Sequence, residues 1–137
     1  MAEAIRVEGL SEFARNLKSI DAELPKMLRV ALNDVADLVV DDATPRIPRR
    51  SGRAARSVRA RSTRTAVRIV GGGARVPYYP WLDFGGRVGR GGSIRRPFLK
   101  DGRYIYDSYY RNKPRFAELL EAKLIDTARA AGVEVDP

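Results

Sequence analysis

Two runs of apolar residues at helical spacing dominate the first third of this 137-residue chain. Phe13, Leu17, Ile20 and Leu24 recur at i, i+4, i+7 and i+11, and Leu28, Leu32, Val35 and Val39 repeat the same spacing as far as Asp41 and Asp42. Side chains at those intervals share one face of a helix, so each run specifies an amphipathic helix with one stripe turned to a core. Such helices owe most of their stability to packing of that stripe, which requires the rest of the chain to cover it. Pro25 falls between the two runs. It either kinks a single long helix or opens a second one at its first turn, where its missing N–H does no harm.

The rest of the chain supplies the cover. Ile5 and Val7 alternate with Arg6 and Glu8 as a short strand, Gly9 breaks it, and Ser11 is placed to cap a helix beginning near Glu12. Thr44-Pro45 stops the second helix, because a residue before proline is pushed away from helical angles. Pro45 to Arg56 then reads as a basic loop. Residues Ser57–Ser62 and Thr65–Val70 form a predicted hairpin about Thr63–Arg64, with Val58, Ala60, Val67 and Ile69 inward and arginines on the opposite face. The segment Val76 to Gly85 concentrates aromatic residues, and its two prolines leave room for one turn at Trp81–Phe84. Gly85 to Gly92, glycines interleaved with arginine, reads as a mobile arm. Arg96-Pro97-Phe98-Leu99 re-anchors the chain. Phe116, Leu120, Leu124 and Ala128 mark a terminal helix ending near Gly132. The expected fold is α+β and a single domain over residues 1–137. Two N-terminal amphipathic helices and a C-terminal helix pack on a small antiparallel sheet, with extended basic loops at about 45–56 and 85–97.

Charge is distributed unevenly. From Arg46 to Arg96 there are 14 arginines, no lysine and one acid, Asp83, for a net of +13, whereas the remainder has 12 basic and 16 acidic residues. Arginine outnumbers lysine 21 to 5 overall, so a coding bias explains the choice of arginine but not the missing acids. Such a middle attracts a polyanion or an acidic protein. With neither histidine nor cysteine, the commonest general bases, nucleophiles and soft-metal ligands are missing, and disulfides are excluded. Asp41 and Asp42 are adjacent and diverge around a helix, reading as a solvated helix end. Asp83 alone holds a hard cation poorly and is read as a structural residue paired with a nearby arginine. Gly86-x-x-Gly89-x-Gly91 is followed by Ser93-Ile-Arg-Arg-Pro rather than a helix start, so it is no phosphate loop. Accordingly no catalytic residue, metal site, cofactor or small-molecule substrate is expected. The N-terminus carries an early acid and lacks the apolar run of a secretory signal, and nothing approaches the ~20 apolar residues of a membrane span.

The motifs have an order. Ile5-x-Val7-x-Gly9-Leu10 comes first, then Glu23-Leu-Pro-Lys26 with the paired helices, Pro48-Arg-Arg-Ser-Gly52 and Ser57. Ala74-Arg-Val-Pro-Tyr78, Leu82-Asp-Phe-Gly85 and Arg96-Pro-Phe-Leu99 follow before a terminal helix. In that order and spacing the chain resembles the tail-component family of long-tailed bacteriophages, similar in role to the minor tail protein Z type. The resemblance implies a non-enzymatic virion protein at the head-to-tail junction, present in the host cytoplasm before assembly. It also implies a homo-oligomeric ring, with a hexamer favoured, that meets neighbouring head-connector and tail proteins and DNA in the channel. Candidate contacts to neighbours or to a polyanion are Arg46, Arg49, Arg50, Arg53 and Arg56 in the first basic loop and Arg87, Arg90, Arg95 and Arg96 in the second. Tyr78, Tyr79, Trp81 and Phe84 are the aromatic candidates. The competing reading is a small nucleic-acid-binding accessory protein without sequence preference, its arginine hairpin lying on a phosphate backbone.

Overall fold

The computed structural model describes the backbone of residues 2–6 and the chain from residue 9 to residue 133. The α+β expectation holds. In chain order the described elements are β1 (Ala2–Arg6), α1 (Leu10–Ile20), α2 (Leu24–Ala43), α3 (Arg53–Ser57), β2 (Arg59–Ala60), β3 (Ala66–Val70) and α4 (Tyr79–Phe84). After them come β4 (Gly86–Val88), β5 (Ile94–Arg96), α5 (Ile105–Arg111) and α6 (Lys113–Ala130). One antiparallel sheet has the order β1-β3-β2, with Ile5 opposite Val67 and Ala60 opposite Ile69, and β4 pairs with β5 in a second. Val7 and Glu8 of the predicted first strand lie outside the described residues.

Helix α2 is the hub. It packs against α1, α5, α6, β2 and β3, and its predicted stripe of Leu28, Leu32, Val35 and Val39 is 0% exposed. Pro25 stands in its first turn, so the proline opens a second helix rather than kinking one. The N–H of Glu23 donates to Asp21 Oδ1 at 2.9 Å, satisfying one donor of the turn between the helices. The stripe of α1 is rotated from expectation. Leu10, Ala14 and Leu17 are buried, Phe13 is half-buried and Ile20 is 55% exposed. The physical reason is the break at Asp21, which is extended. Leu24 belongs to the next helix, and Ile20 ends the first one beyond the core. Nor does Ser11 cap α1; the helix starts at Leu10, behind Gly9 in the left-handed conformation (φ +80°).

Three further expectations are corrected. The loop at 45–56 contains a 3-10 turn, Thr44–Arg46, and α3, which takes Ser57 from the predicted strand. Ala54 and Ala55 are small enough to bury this short helix, and Ser57 Oγ donates to Ala54 O (2.6 Å) while accepting from the N–H of Gly72 (3.0 Å). The glycine-arginine run is not an open arm but the β4–β5 hairpin, closed by a 3-10 turn at Arg90–Gly92. Finally, the single turn allowed at Trp81–Phe84 is the longer α4, with Pro80 in its first turn. At the C-terminus α5 and α6 meet at Asn112, and Phe116 and Ala128 of the predicted terminal stripe are buried.

Candidate assembly interface

The aromatic segment and the Arg-Pro-Phe-Leu motif, ten residues apart in sequence, are brought together around one buried carboxylate. Tyr79 and Asp83 stand four residues apart in α4, hence on one face of the helix, and both are fully buried. The Tyr79 hydroxyl donates to Asp83 Oδ2 at 2.8 Å, and Asp83 Oδ1 accepts the backbone N–H groups of Arg103 (2.7 Å) and Tyr104 (3.1 Å). Asp83 is thus structural, but its expected arginine partner is corrected. Backbone amides and a phenol satisfy the carboxylate, and the arginines bind carbonyls instead.

Those arginines complete a clamp. Arg103 donates to the carbonyls of Asp83 (3.0 Å) and Pro97. Arg96 donates from Nε to Leu82 O (3.0 Å) and from Nη2 to the Tyr104 hydroxyl (3.1 Å), with its guanidinium 5.7 Å from the Trp81 ring centroid. Trp81 Nε1–H donates to Gly86 O (3.1 Å), and the Leu99 N–H donates to Phe84 O (2.8 Å). Two glycines make the close approach possible. A Cβ on Gly102 (φ +74°) would stand 2.3 Å from Asp83 Oδ1, and one on Gly85 (φ +85°) would collide with the carbonyl of Pro97.

The candidates sort themselves by this geometry. Tyr79 is a core residue, not a contact surface, because its ring closes the core over the sheet end and its hydroxyl serves Asp83. Arg96 is spent on the clamp. Trp81 and Phe84 are half-buried, Phe84 packing edge-on against Tyr106 at 6.4 Å between centroids. Tyr78, Arg87, Arg90 and Arg95 are exposed, as are Ile94, Phe98 (70%) and Leu99 on the same stretch.

Arg46 is also engaged within the chain. It pairs with Asp107 at 2.8 Å and Asp42 at 3.8 Å, while Arg111 pairs with Asp42 at 2.8 Å and Asp107 at 3.0 Å. Asp42 is therefore no free helix end. The hydrogen bond from Ser108 (2.6 Å), then Arg111 and Arg46, hold its carboxyl below the usual range, and the Arg111 hydrogen bond, then Arg46, do the same for Asp107. This four-member network ties the end of α2 to α5. In contrast Arg49, Arg50, Arg53 and Arg56 are exposed and make no ion pair among the described residues. Sequence reading missed Arg103, Arg111 and Asp107; the i, i+4 spacing of Asp107 and Arg111 was the one local signal for them.

Among the described residues no group of three or more acidic side chains stands close enough to hold a metal ion, and no helix is long and apolar enough to cross a membrane. A surface of exposed cations and apolar side chains on a clamped scaffold is suited to docking. No curated protein and no solved structure matches the chain. The model of the bacteriophage HK97-gp10 tail-component family matches residues 11–85, from the start of α1 to the glycine that ends α4. By that match, over half its length, the chain belongs to the HK97-gp10-like tail-component family of bacteriophages and is a tail-related structural protein of the virion.

Proposed function

We propose that this protein is a ring subunit, in six copies, that completes the upper end of the tail at the head-to-tail junction and docks between head-connector and tail proteins. It works by assembly rather than catalysis. The observation that carries the reading is the apolar surface the clamp holds in solvent: Ile94, Phe98 and Leu99 are 52%, 70% and 44% exposed on a segment whose base is fixed by Arg96, Arg103 and Asp83. Large apolar side chains presented from a rigid base are suited to protein contacts. A closed ring needs two different patches per subunit, because its contacts are heterologous. Ile20, Met27 and Val30, all about half exposed on α1 and α2, offer the second. The exposed Arg49, Arg50 and Arg53 add cations that form bidentate bonds with a neighbour's carboxylates.

Native mass spectrometry of the purified protein tests the ring, and six copies are expected. Phe98→Asp should leave melting unchanged and abolish the ring. Reversing charge at Arg49, Arg50 and Arg53 should leave the fold intact and yield filled heads beside separate tails in a complementation assay. Infectious particles at wild-type yield from both variants would remove the basis for this reading.

A further inference from the structure

A third cationic feature lies apart from both basic loops, at the tip of the β2–β3 hairpin. The N–H of Ser62 donates to Asn33 Oδ1 at 2.7 Å, which pins the tip to α2. Arg29 stands one helical turn before Asn33 and so lies on the same face of α2, beside the tip. Across the ladder the N–H of Arg61 donates to Arg68 O at 2.8 Å, so the two side chains leave the same side of the hairpin. Arg64 occupies the turn. The result is an open concavity of about 510 Å³ lined by Arg29, Arg61, Arg64 and Arg68 together with Ser62, Thr63 and Thr65. Among the described residues its lining contains no acid and no apolar side chain.

Four arginines line this concavity, with no acid beside them among the described residues. Among the described residues none of them makes an ion pair, and Arg68 Nε is buried with no hydrogen-bond partner. Like charges held together in this way favour an anionic partner, whose oxygens accept from the guanidinium donors. Arg64 and Thr65 also line the next concavity, with Arg15 and Lys18 of α1 and again no acid among the described residues, so the cationic surface continues as a band around the tip.

We infer that this band binds the phosphodiester backbone of double-stranded DNA. Cations interleaved with hydroxyls suit a run of backbone phosphates, contacted without base reading. The centre of a protein contact surface is enriched in aromatic and other large apolar side chains, and none lines the tip concavity among the described residues. The site is independent of the ring reading, since it lies within one copy.

The test uses the full chain, its oligomeric state fixed by native mass spectrometry, and a fluorescent duplex of about 30 base pairs titrated by anisotropy from roughly 50 to 300 mM salt. Binding should weaken steeply with salt. Arg61→Ala/Arg64→Ala, two exposed positions, should keep the circular dichroism spectrum and reduce the salt slope by about 2, one unit for each phosphate that is no longer neutralised. Arg49→Ala/Arg50→Ala removes the same charge from another loop and should change the slope less. The inference is overturned by absence of duplex binding at the lowest salt, or by equal losses in the two variants, which would reduce the effect to net charge. Tighter binding of polyglutamate than of duplex would overturn it too, by making an acidic protein the occupant.

Discussion

Replacing Asp83 with alanine should destabilise the protein far more than replacing it with asparagine. Alanine leaves three donors without their acceptor in a closed interior: the N–H groups of Arg103 and Tyr104 and the hydroxyl of Tyr79. At about 1–3 kcal/mol for each buried group left unsatisfied, the loss is roughly 3–6 kcal/mol, allowing for partial relaxation. Domains of this kind have about 5–15 kcal/mol in all, so the alanine variant stands near the edge of folding. Asparagine keeps the shape. Its Oδ1 still accepts the two backbone amides, and its Nδ2 faces a tyrosine hydroxyl that can rotate and accept, so the expected loss is about 1 kcal/mol. Urea unfolding followed by the fluorescence of Trp81, the only tryptophan, reads both variants at the clamp itself. With a urea slope of roughly 2 kcal/mol/M, the midpoint should fall by about 1.5–3 M for Asp83→Ala and by about 0.5 M for Asp83→Asn. Equal midpoints for the two variants would refute the reasoning, because the carboxylate would then not be acting as an acceptor for these donors.

Three other outcomes follow from the same geometry. Leu32→Asp places an unpaired charge at a fully buried position of α2 and should unfold the domain; a soluble variant with unchanged circular dichroism and melting would contradict this. Gly102→Ala should lower the melting temperature more than Gly132→Ala: both positions are left-handed, which costs an L residue about 1–2 kcal/mol, but only at Gly102 does the added Cβ also meet Asp83 Oδ1. The carboxyls of Asp42 and Asp107 are held below their unfolded value of about 3.9, so their contribution is present above about pH 4 and is lost as pH falls through the lower folded values. Melting curves from about pH 7 down to about pH 2.5 should therefore show wild type losing more stability below about pH 4 than Asp42→Asn/Asp107→Asn, and parallel losses would rule the network out as the cause.

The features legible in the sequence are those whose cause is local. The stripe of α2 is a repeat of one interval within one helix, and Leu28, Leu32, Val35 and Val39 occupy the core as that repeat requires. The same counting failed at Ile20, because it ran across the helix end at Asp21, while Leu24 reaches the core from the first turn of α2. Glycine content suggested mobility between Gly85 and Gly92, yet there the glycines supply the positive φ angles that a short hairpin turn requires. The candidate site was least legible. Composition identified which residues were basic, but Arg46 finds Asp107 from 61 residues away and Arg96 finds a carbonyl of Leu82, pairings no local pattern encodes. Arginines beside them in sequence, such as Arg49 and Arg95, remain in solvent.

The clamp also bears on chain length. Because Phe84 and Leu99 are bonded to each other, and Gly85 lies against Pro97, the β4–β5 hairpin leaves the scaffold and returns to it at a single joint. Closing entropy grows only by about 0.6 kcal/mol for each doubling of a flexible loop, so residues inserted beyond such a joint burden folding very little. The stretch shared with the family ends at Gly85, where that excursion begins. The joint therefore separates the clamped frame, which includes α5 and α6 beyond the matched stretch, from a hairpin whose length can change at little cost to folding.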